Sequence, residues 1–251
     1  MRANEQSFEH ELSLAVKAAH EAGAFLLKCK QQPIIVNSSI NKDIKLEADV
    51  LSEKMITDIL LAGSTHNILS EESGYITKDN DSGYFWIVDP LDGSLNFSRQ
   101  IDICGVSIGL WKDNEPVLGV IYDFIHDQMY TGIVGQYAAC NGIPINVSSI
   151  SEKKVSILAT GFPVYSDQDK ESLNLFIDDV QQYKKVRLLG SAALSLVHVA
   201  KGSIEAYKEK NIAIWDVAAG LAILIAAGGK AEYPMGKGKH YLNVYATNGI
   251  V

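Results

Sequence analysis

The segment Trp86-Ile87-Val88-Asp89-Pro90-Leu91-Asp92-Gly93-Ser94-Leu95-Asn96-Phe97 concentrates the chemistry of this chain. An apolar, β-prone run delivers Asp89 at its end, and Pro90 is expected to stop the ladder and hold Asp89 extended. Asp89 and Asp92 can then face one point. Gly93 admits a positive φ or the close approach of an anion, and Ser94 can open a short helix whose free N–H groups favour phosphate. Two carboxylates beside an anion cradle suit magnesium, which takes one or two carboxylates together with water and substrate oxygens. The same residues read equally well as a loop whose aspartates cap turns. Two further acidic sites follow the same pattern. Glu71-Glu72-Ser73-Gly74 comes just after the apolar pair Ile68-Leu69, and Trp215-Asp216 opens an apolar run over 217–227. Alone, each is an ordinary turn or helix cap. Together, three acidic sites at the edges of buried elements are what a multinuclear metal centre requires.

The elements that must position these groups can be read from periodicity. Phe8, Leu12, Ala15, Val16, Ala19, Ala22 and Leu26 recur at helical spacing and predict an amphipathic helix over about 5–30. A second helix is expected over 49–62, with Asp49 as N-cap and Gly63 at its C-terminal turn. Strands are expected at 84–88, 103–111, 117–124 and 128–134, and their short connections predict antiparallel pairing. Beyond residue 150 the expected order is a strand at 155–159, a helix at 170–182, a strand at 186–188, a helix at 192–200, a strand at 204–207, a buried helix at 217–227 and a strand at 241–246. With no internal repeat or linker, the chain is expected to be a single domain, 1–251, of two lobes near 1–150 and 151–251.

Composition narrows the partners. The 251 residues carry 22 basic and 30 acidic side chains, a formal charge of −8, so no positive field is available to hold a nucleic-acid polymer. The most apolar stretch, 217–229, is shorter than the roughly 20 residues of a membrane-spanning helix. The acidic N-terminus lacks the apolar core of a secretory signal. Cys29, Cys104 and Cys140 form no CxxC unit and read as buried thiols of a reduced compartment. A protein of the cytoplasm, without membrane contact, is expected.

Taken with the neighbouring motifs, the sequence resembles the inositol monophosphatase family of magnesium-dependent, lithium-sensitive phosphatases. The likeness rests on 89–97, on Glu71-Glu72-Ser73, and on Trp215-Asp216-Val217-Ala218-Ala219-Gly220 ending in Ala227-Gly228-Gly229. It includes Gly161-Phe162-Pro163 and Gly190-Ser191-Ala192-Ala193 and covers nearly the whole chain. It implies a layered αβαβα sandwich of mixed α and β class, usually a homodimer, that hydrolyses a small phosphorylated metabolite with two or three Mg2+ ions. By the resemblance, Glu71, Asp89, Asp92 and Asp216 are metal ligands, with the carbonyl of Leu91, while Asp49 stands nearby and joins Glu71 and Ser94 as a catalytic residue. The amides of Gly93 and Ser94 hold phosphate; Gly190, Ser191, Ala192 and Glu209, beside Asp92 and Asp216, face the substrate. Glu71 and Ser94 orient or deprotonate a metal-activated water that attacks phosphorus in line, without a phosphoenzyme. Inositol monophosphate is the expected substrate; adenosine bisphosphate, fructose bisphosphate and histidinol phosphate are the alternatives within the family. Three departures stand out: Ser94 for the family's threonine, Ala227 for its glutamate, and Lys45-Leu46 for its valine and threonine.

Four other readings are weaker. Gly105-Val106-Ser107-Ile108-Gly109 matches the GxSxG of serine hydrolases, but it falls inside an expected strand rather than on the strand-to-helix turn that motif needs. The histidines form no zinc-ligand pair, and no glycine-rich nucleotide loop occurs. A regulatory or scaffolding protein that kept the pocket without the chemistry is the alternative from another class.

Overall fold

The computed structural model describes residues 7–32, 36–40, 43–78, 82–161 and 170–251. Helix α1, Glu9–Cys29, buries Leu12, Ala15, Ala19, Ala22 and Leu26, the stripe expected from spacing. Strands β1 (Val36–Ile40) and β2 (Asp43–Leu46) form an antiparallel hairpin that leads into α2, Glu47–Gly63. There follow β3 (Asn67–Ser70), β4 (Gly74–Ile76), β5 (Tyr84–Asp92), the short helix α3 (Ser94–Ser98), β6 (Gly105–Lys112), β7 (Glu115–Asp123), β8 (Gln128–Ile133), β9 (Tyr137–Cys140) and β10 (Ile143–Pro144). These strands make one sheet in the order β10-β9-β8-β7-β6-β5-β3-β4, antiparallel except where β3 lies beside β5. The rest of the chain supplies β11 (Ile157–Thr160), α4 (Lys170–Gln181), β12 (Lys185–Arg187), α5 (Ala192–Ala200), β13 (Ala206–Ala213), α6 (Ile214–Ala226), β14 (Lys230–Glu232) and β15 (Tyr241–Thr247). Its sheet runs β12-β11-β13-β15-β14.

The layers follow from which faces are apolar. Along β5, Trp86 and Val88 point one way and Ile87 the other, as the two-residue strand period requires. Trp86, Val88, Ile108 and Val120 meet Leu12, Leu26, Ile56 and Leu60 of α1 and α2. On the opposite face, Ile87, Trp111 and Ile121 meet α5 and α6 through Leu196, Val217 and Leu221, and the same core continues to Tyr207, Val244 and Ala246 of the second sheet. Val180 of α4 packs with Leu158 and Ala206 on that sheet's far side. The result is the expected αβαβα order.

Helix α6 lies unusually deep. Gly109, Gly119 and Gly132 stand opposite one another on β6, β7 and β8. A Cβ at these positions would come within 3.0 Å of the Ala219 nitrogen, 2.1 Å of the Ala219 oxygen and 2.8 Å of the Ile223 Cα. The glycine row lets the backbone of α6 rest on the sheet, and Trp111 Nε1 donates to the Ala218 carbonyl at 3.1 Å.

Several expectations need correction. Helix α2 begins at Glu47, so Asp49 is not its N-cap; from the third position its carboxylate reaches back to accept the Leu46 N–H at 2.7 Å. Asp216 likewise sits within the first turn of α6, whose N-cap is Ala213. Pro90 does not end β5. The pairing with β6 shifts between Asp89 and Asp92, so the proline falls in a bulge where no N–H is required. Only Cys104 is buried; Cys29 and Cys140 are partly exposed. Short strands β1, β2, β4, β9, β10 and β14 were not anticipated. Residues 5 and 6 of the expected first helix, and Phe162-Pro163, lie outside the described residues.

Candidate metal centre

Strand β5 carries Asp89 to its bulge, where the Asp89 Oδ1 accepts the Leu91 N–H at 3.0 Å. That bond folds the chain tightly enough to bring Asp92 back beside Asp89. Gly93 then takes a φ of 87°, with no room for a Cβ because the Ile103 carbonyl would be 2.8 Å away. The turn ends in α3, and the Ser94 hydroxyl donates to the Leu91 carbonyl at 2.9 Å and to Asp49 Oδ1 at 3.4 Å. From the other side, the first turn of α6 brings Asp216. Carboxylate oxygens of Asp89, Asp92 and Asp216 lie within 4.8 Å of one another.

Glu71 sits in the turn between β3 and β4, with its N–H donating to the Val88 carbonyl at 3.2 Å. It lies outside the triangle of aspartates but close enough for its charge to act on Asp89 and Asp216. Burial, then repulsion from Glu71 and the neighbouring aspartates, holds the carboxyls of Asp89 and Asp216 well above the usual carboxylate range. Burial also pushes Asp92 up to about 6, against hydrogen bonds from the Ser191 hydroxyl and from the N-terminus of α5, including the Ala193 N–H at 3.0 Å. Among the described residues no lysine or arginine pairs with these three aspartates. Buried like charges of this kind, all hard oxygen donors, fit a divalent cation such as magnesium better than any softer metal.

Of the remaining residues singled out from sequence, some border this point and others do not. Asn96 Nδ2 donates to the Leu189 carbonyl at 2.8 Å and the Ile103 carbonyl at 2.9 Å. It thereby ties α3 to the loop holding Gly190, Ser191 and Ala192 at the start of α5. Glu209 on β13 is buried and accepts the Tyr207 hydroxyl at 2.8 Å. Burial pushes it up to about 7, opposed by that bond and reinforced by the charge of Asp92. Gly161 leaves room for it: a Cβ there would lie 2.6 Å from Glu209 Oε2. Ser107 is fully buried in β6 with its hydroxyl 3.4 Å from the Trp215 carbonyl, so no nucleophile elbow exists at that motif. Ala227 is buried in the core between the sheets rather than facing the carboxylates.

Sequence reasoning missed Ser52 and Glu53 of α2, both buried polar residues. Ser52 donates to the Pro90 carbonyl at 3.0 Å. Their spacing of three and four from Asp49 was the available signal, since it places all three on one helix face.

Residues 8–250 match the model of the inositol monophosphatase family. The chain belongs to that family. It is 36% identical to the inositol monophosphatase of Anabaena (Nostoc) sp. PCC 7120, whose structure superposes with a TM-score of 0.82 over 97% of this chain and 92% of that one. It is 35% identical to the Haemophilus influenzae protein named Nus factor SuhB, across 87% of this chain and 83% of that protein. It is also 32% identical to the Arabidopsis thaliana protein named Phosphatase IMPL1, chloroplastic, across 96% of this chain and 68% of that protein. The family therefore includes phosphatases, and this chain has an acidic cluster that could hold a metal ion. Among the described residues no helix is long and apolar enough to cross a membrane.

Proposed function

We propose that this protein is a magnesium-dependent phosphomonoesterase whose substrate is inositol monophosphate. The observation that carries the reading is the convergence of Asp89, Asp92 and Asp216 from two distant parts of the chain to within 4.8 Å. Glu71, Asp89, Asp92, Asp216 and the Leu91 carbonyl would hold two or three Mg2+ ions. Bound there, the ions would act as Lewis acids that acidify water and neutralise charge on phosphate and leaving oxygens. The chain itself then has four tasks. The N–H groups of Gly93 and Ser94 receive the phosphate at the αL turn. The Ser94 hydroxyl, set between Leu91 and Asp49, orients the water with Glu71. Glu209, Gly190, Ser191 and Ala192 bound the alcohol side. Gly93 and Gly190, both at positive φ and each too close to its neighbours for a Cβ, shape the turns that carry these groups.

Adenosine bisphosphate, fructose bisphosphate and histidinol phosphate remain rival substrates around the same carboxylates. The reading extends to a single cytoplasmic domain of two lobes, working as a homodimer on a small phosphorylated metabolite, without nucleic acid or membrane. Phosphate release by metal-stripped protein from these four substrates, with and without magnesium, tests it. Release from inositol monophosphate only with magnesium, suppressed by lithium, is the expected result. Release without added metal, or from none of the four, overturns it. The relatives named Nus factor SuhB favour a second reading, a regulatory partner-binding protein. A folded chain that binds no divalent cation would support that reading.

A further inference from the structure

Helix α2 presents three consecutive inward polar groups, and each touches a different segment of the site. Asp49 receives the Ser94 hydroxyl, Ser52 holds the Pro90 carbonyl, and Glu53 holds the β3–β4 turn. Glu53 is the least expected of the three. It is 3% exposed, yet its carboxylate is fully used: it accepts from the hydroxyls of Ser70 and Ser73, from the Glu72 N–H at 2.9 Å and from the Ser73 N–H at 3.3 Å. These donors bracket Glu71 on both sides in sequence. On its remaining side the Glu71 N–H is held by the Val88 carbonyl, one residue before Asp89. The backbone of Glu71 is thus clamped between α2 and β5.

All four partners of Glu53 are donors, and an ionised carboxylate is the side chain that only accepts. An amide of the same shape could keep the bonds made at Oε2 and turn its NH2 toward the Ser73 hydroxyl, so it would retain the contacts but exchange charge-assisted bonds for weaker neutral ones.

We propose that Glu53 is a positioning residue that fixes Glu71 through the Ser70–Ser73 turn and thereby sets the affinity of the site for divalent cations. This inference rests on the metal-dependent reading above. It differs from a purely structural role, which would lower the melting temperature without altering cation binding by the folded protein.

The test is Mn2+ binding, read as loss of the free-ion electron paramagnetic resonance signal, in wild type, Glu53→Gln and Ser73→Ala. Melting curves verify that each is folded. Glu53→Gln, which weakens the clamp without removing it, should weaken Mn2+ binding by up to about tenfold, the lower end of the range found when partners of metal ligands are removed. Ser73→Ala, at an exposed position that folding tolerates, should weaken it in the same direction by less. With inositol monophosphate, the half-saturating magnesium concentration should rise by the factor seen for Glu53→Gln; kcat at saturating magnesium should fall as well, because Glu71 also orients the water, while KM stays within about twofold. Unchanged Mn2+ affinity in folded Glu53→Gln overturns the inference; if that variant does not fold, unchanged affinity in Ser73→Ala does so. Wild type that binds no Mn2+ overturns the metal-dependent reading itself, whereas wild type and variants that bind alike overturn only the role of Glu53.

Discussion

Asp89 has an oxygen committed to the Leu91 N–H and shares its surroundings with three other carboxylates. Asp89→Asn keeps the shape and the turn while removing one negative charge. Phosphate release should fall by at least about a hundredfold, because the contribution of a metal centre to such a reaction amounts to several kcal/mol. Metal-free Asp89→Asn should melt at or above the wild-type temperature, since a repelled buried carboxyl has become neutral. Wild-type turnover in the folded variant would count against the metal centre. Glu209 offers a pH test. Its carboxyl is raised from 4.5 to about 7, so between those values the folded protein keeps a proton that the unfolded chain releases. Metal-free stability should therefore fall as pH rises through that window, by at most about 3 kcal/mol from this group. Glu209→Gln should remove that part of the loss in denaturant titrations at pH 5, 6, 7 and 8. Asp92 acts with the same sign up to about 6, and His198, lowered by burial to about 4, acts with the opposite sign below 6.5. The difference between variant and wild type is accordingly the quantity to compare. Asp89 and Asp92 were legible in the sequence because an apolar β-prone run, a proline and a glycine flank them. Glu53 was not, because a glutamate on an amphipathic helix looks solvated until the turn it faces is known.

Elements set distances that no motif encodes. The row Gly109, Gly119 and Gly132 lets α6 approach the sheet at backbone contact, and the first turn of α6 carries Asp216. Gly119→Ala would place a methyl 2.1 Å from the Ala219 oxygen. It should destabilise the protein by about 1–3 kcal/mol or more, as overpacking does. It should also raise the half-saturating magnesium concentration, because α6 must shift and take Asp216 with it. Denaturant titration and a magnesium titration check the two effects; unchanged values in both would mean that the helix can slide without consequence. The glycines themselves were visible in the sequence, one of them inside the false GxSxG match. Their common row depends on strand register, which hydrophobic alternation alone did not supply. Helices α5 and α6 were legible as apolar runs. The edge strands β4, β10 and β14 are too short to show a period, and β5 runs past its expected end because Pro90 sits in a bulge instead of stopping the strand.

At the scale of the whole molecule, the five layers were read from resemblance, not from periodicity, because strand order in each sheet departs from chain order. The acidic chain illustrates why net charge is a poor guide to ligand charge: a formal −8 is compatible with an anionic substrate once cations stand between the two. A cation that binds only the folded state should also stabilise it. Magnesium at a hundred times its dissociation constant should raise unfolding free energy by roughly 2.7 kcal/mol. The gain should be larger at pH 8 than at pH 5, because ligands with raised pKa values must lose protons to bind. Melting curves with magnesium and with a chelator, at both pH values, check this; an equal gain at both would show that the buried aspartates are not the ligands.

Asp89 and Asp216 are about half the chain apart, one at the end of β5 and the other on a helix docked between the sheets. A nascent polypeptide leaving the ribosome carries the first aspartate pair long before the third aspartate is made, and the pocket closes only when α6 settles on its glycine row. Until then only part of the proposed ligand set is in place, so an ion bound there would act as a late seal on finished molecules instead of a nucleus for unfinished ones.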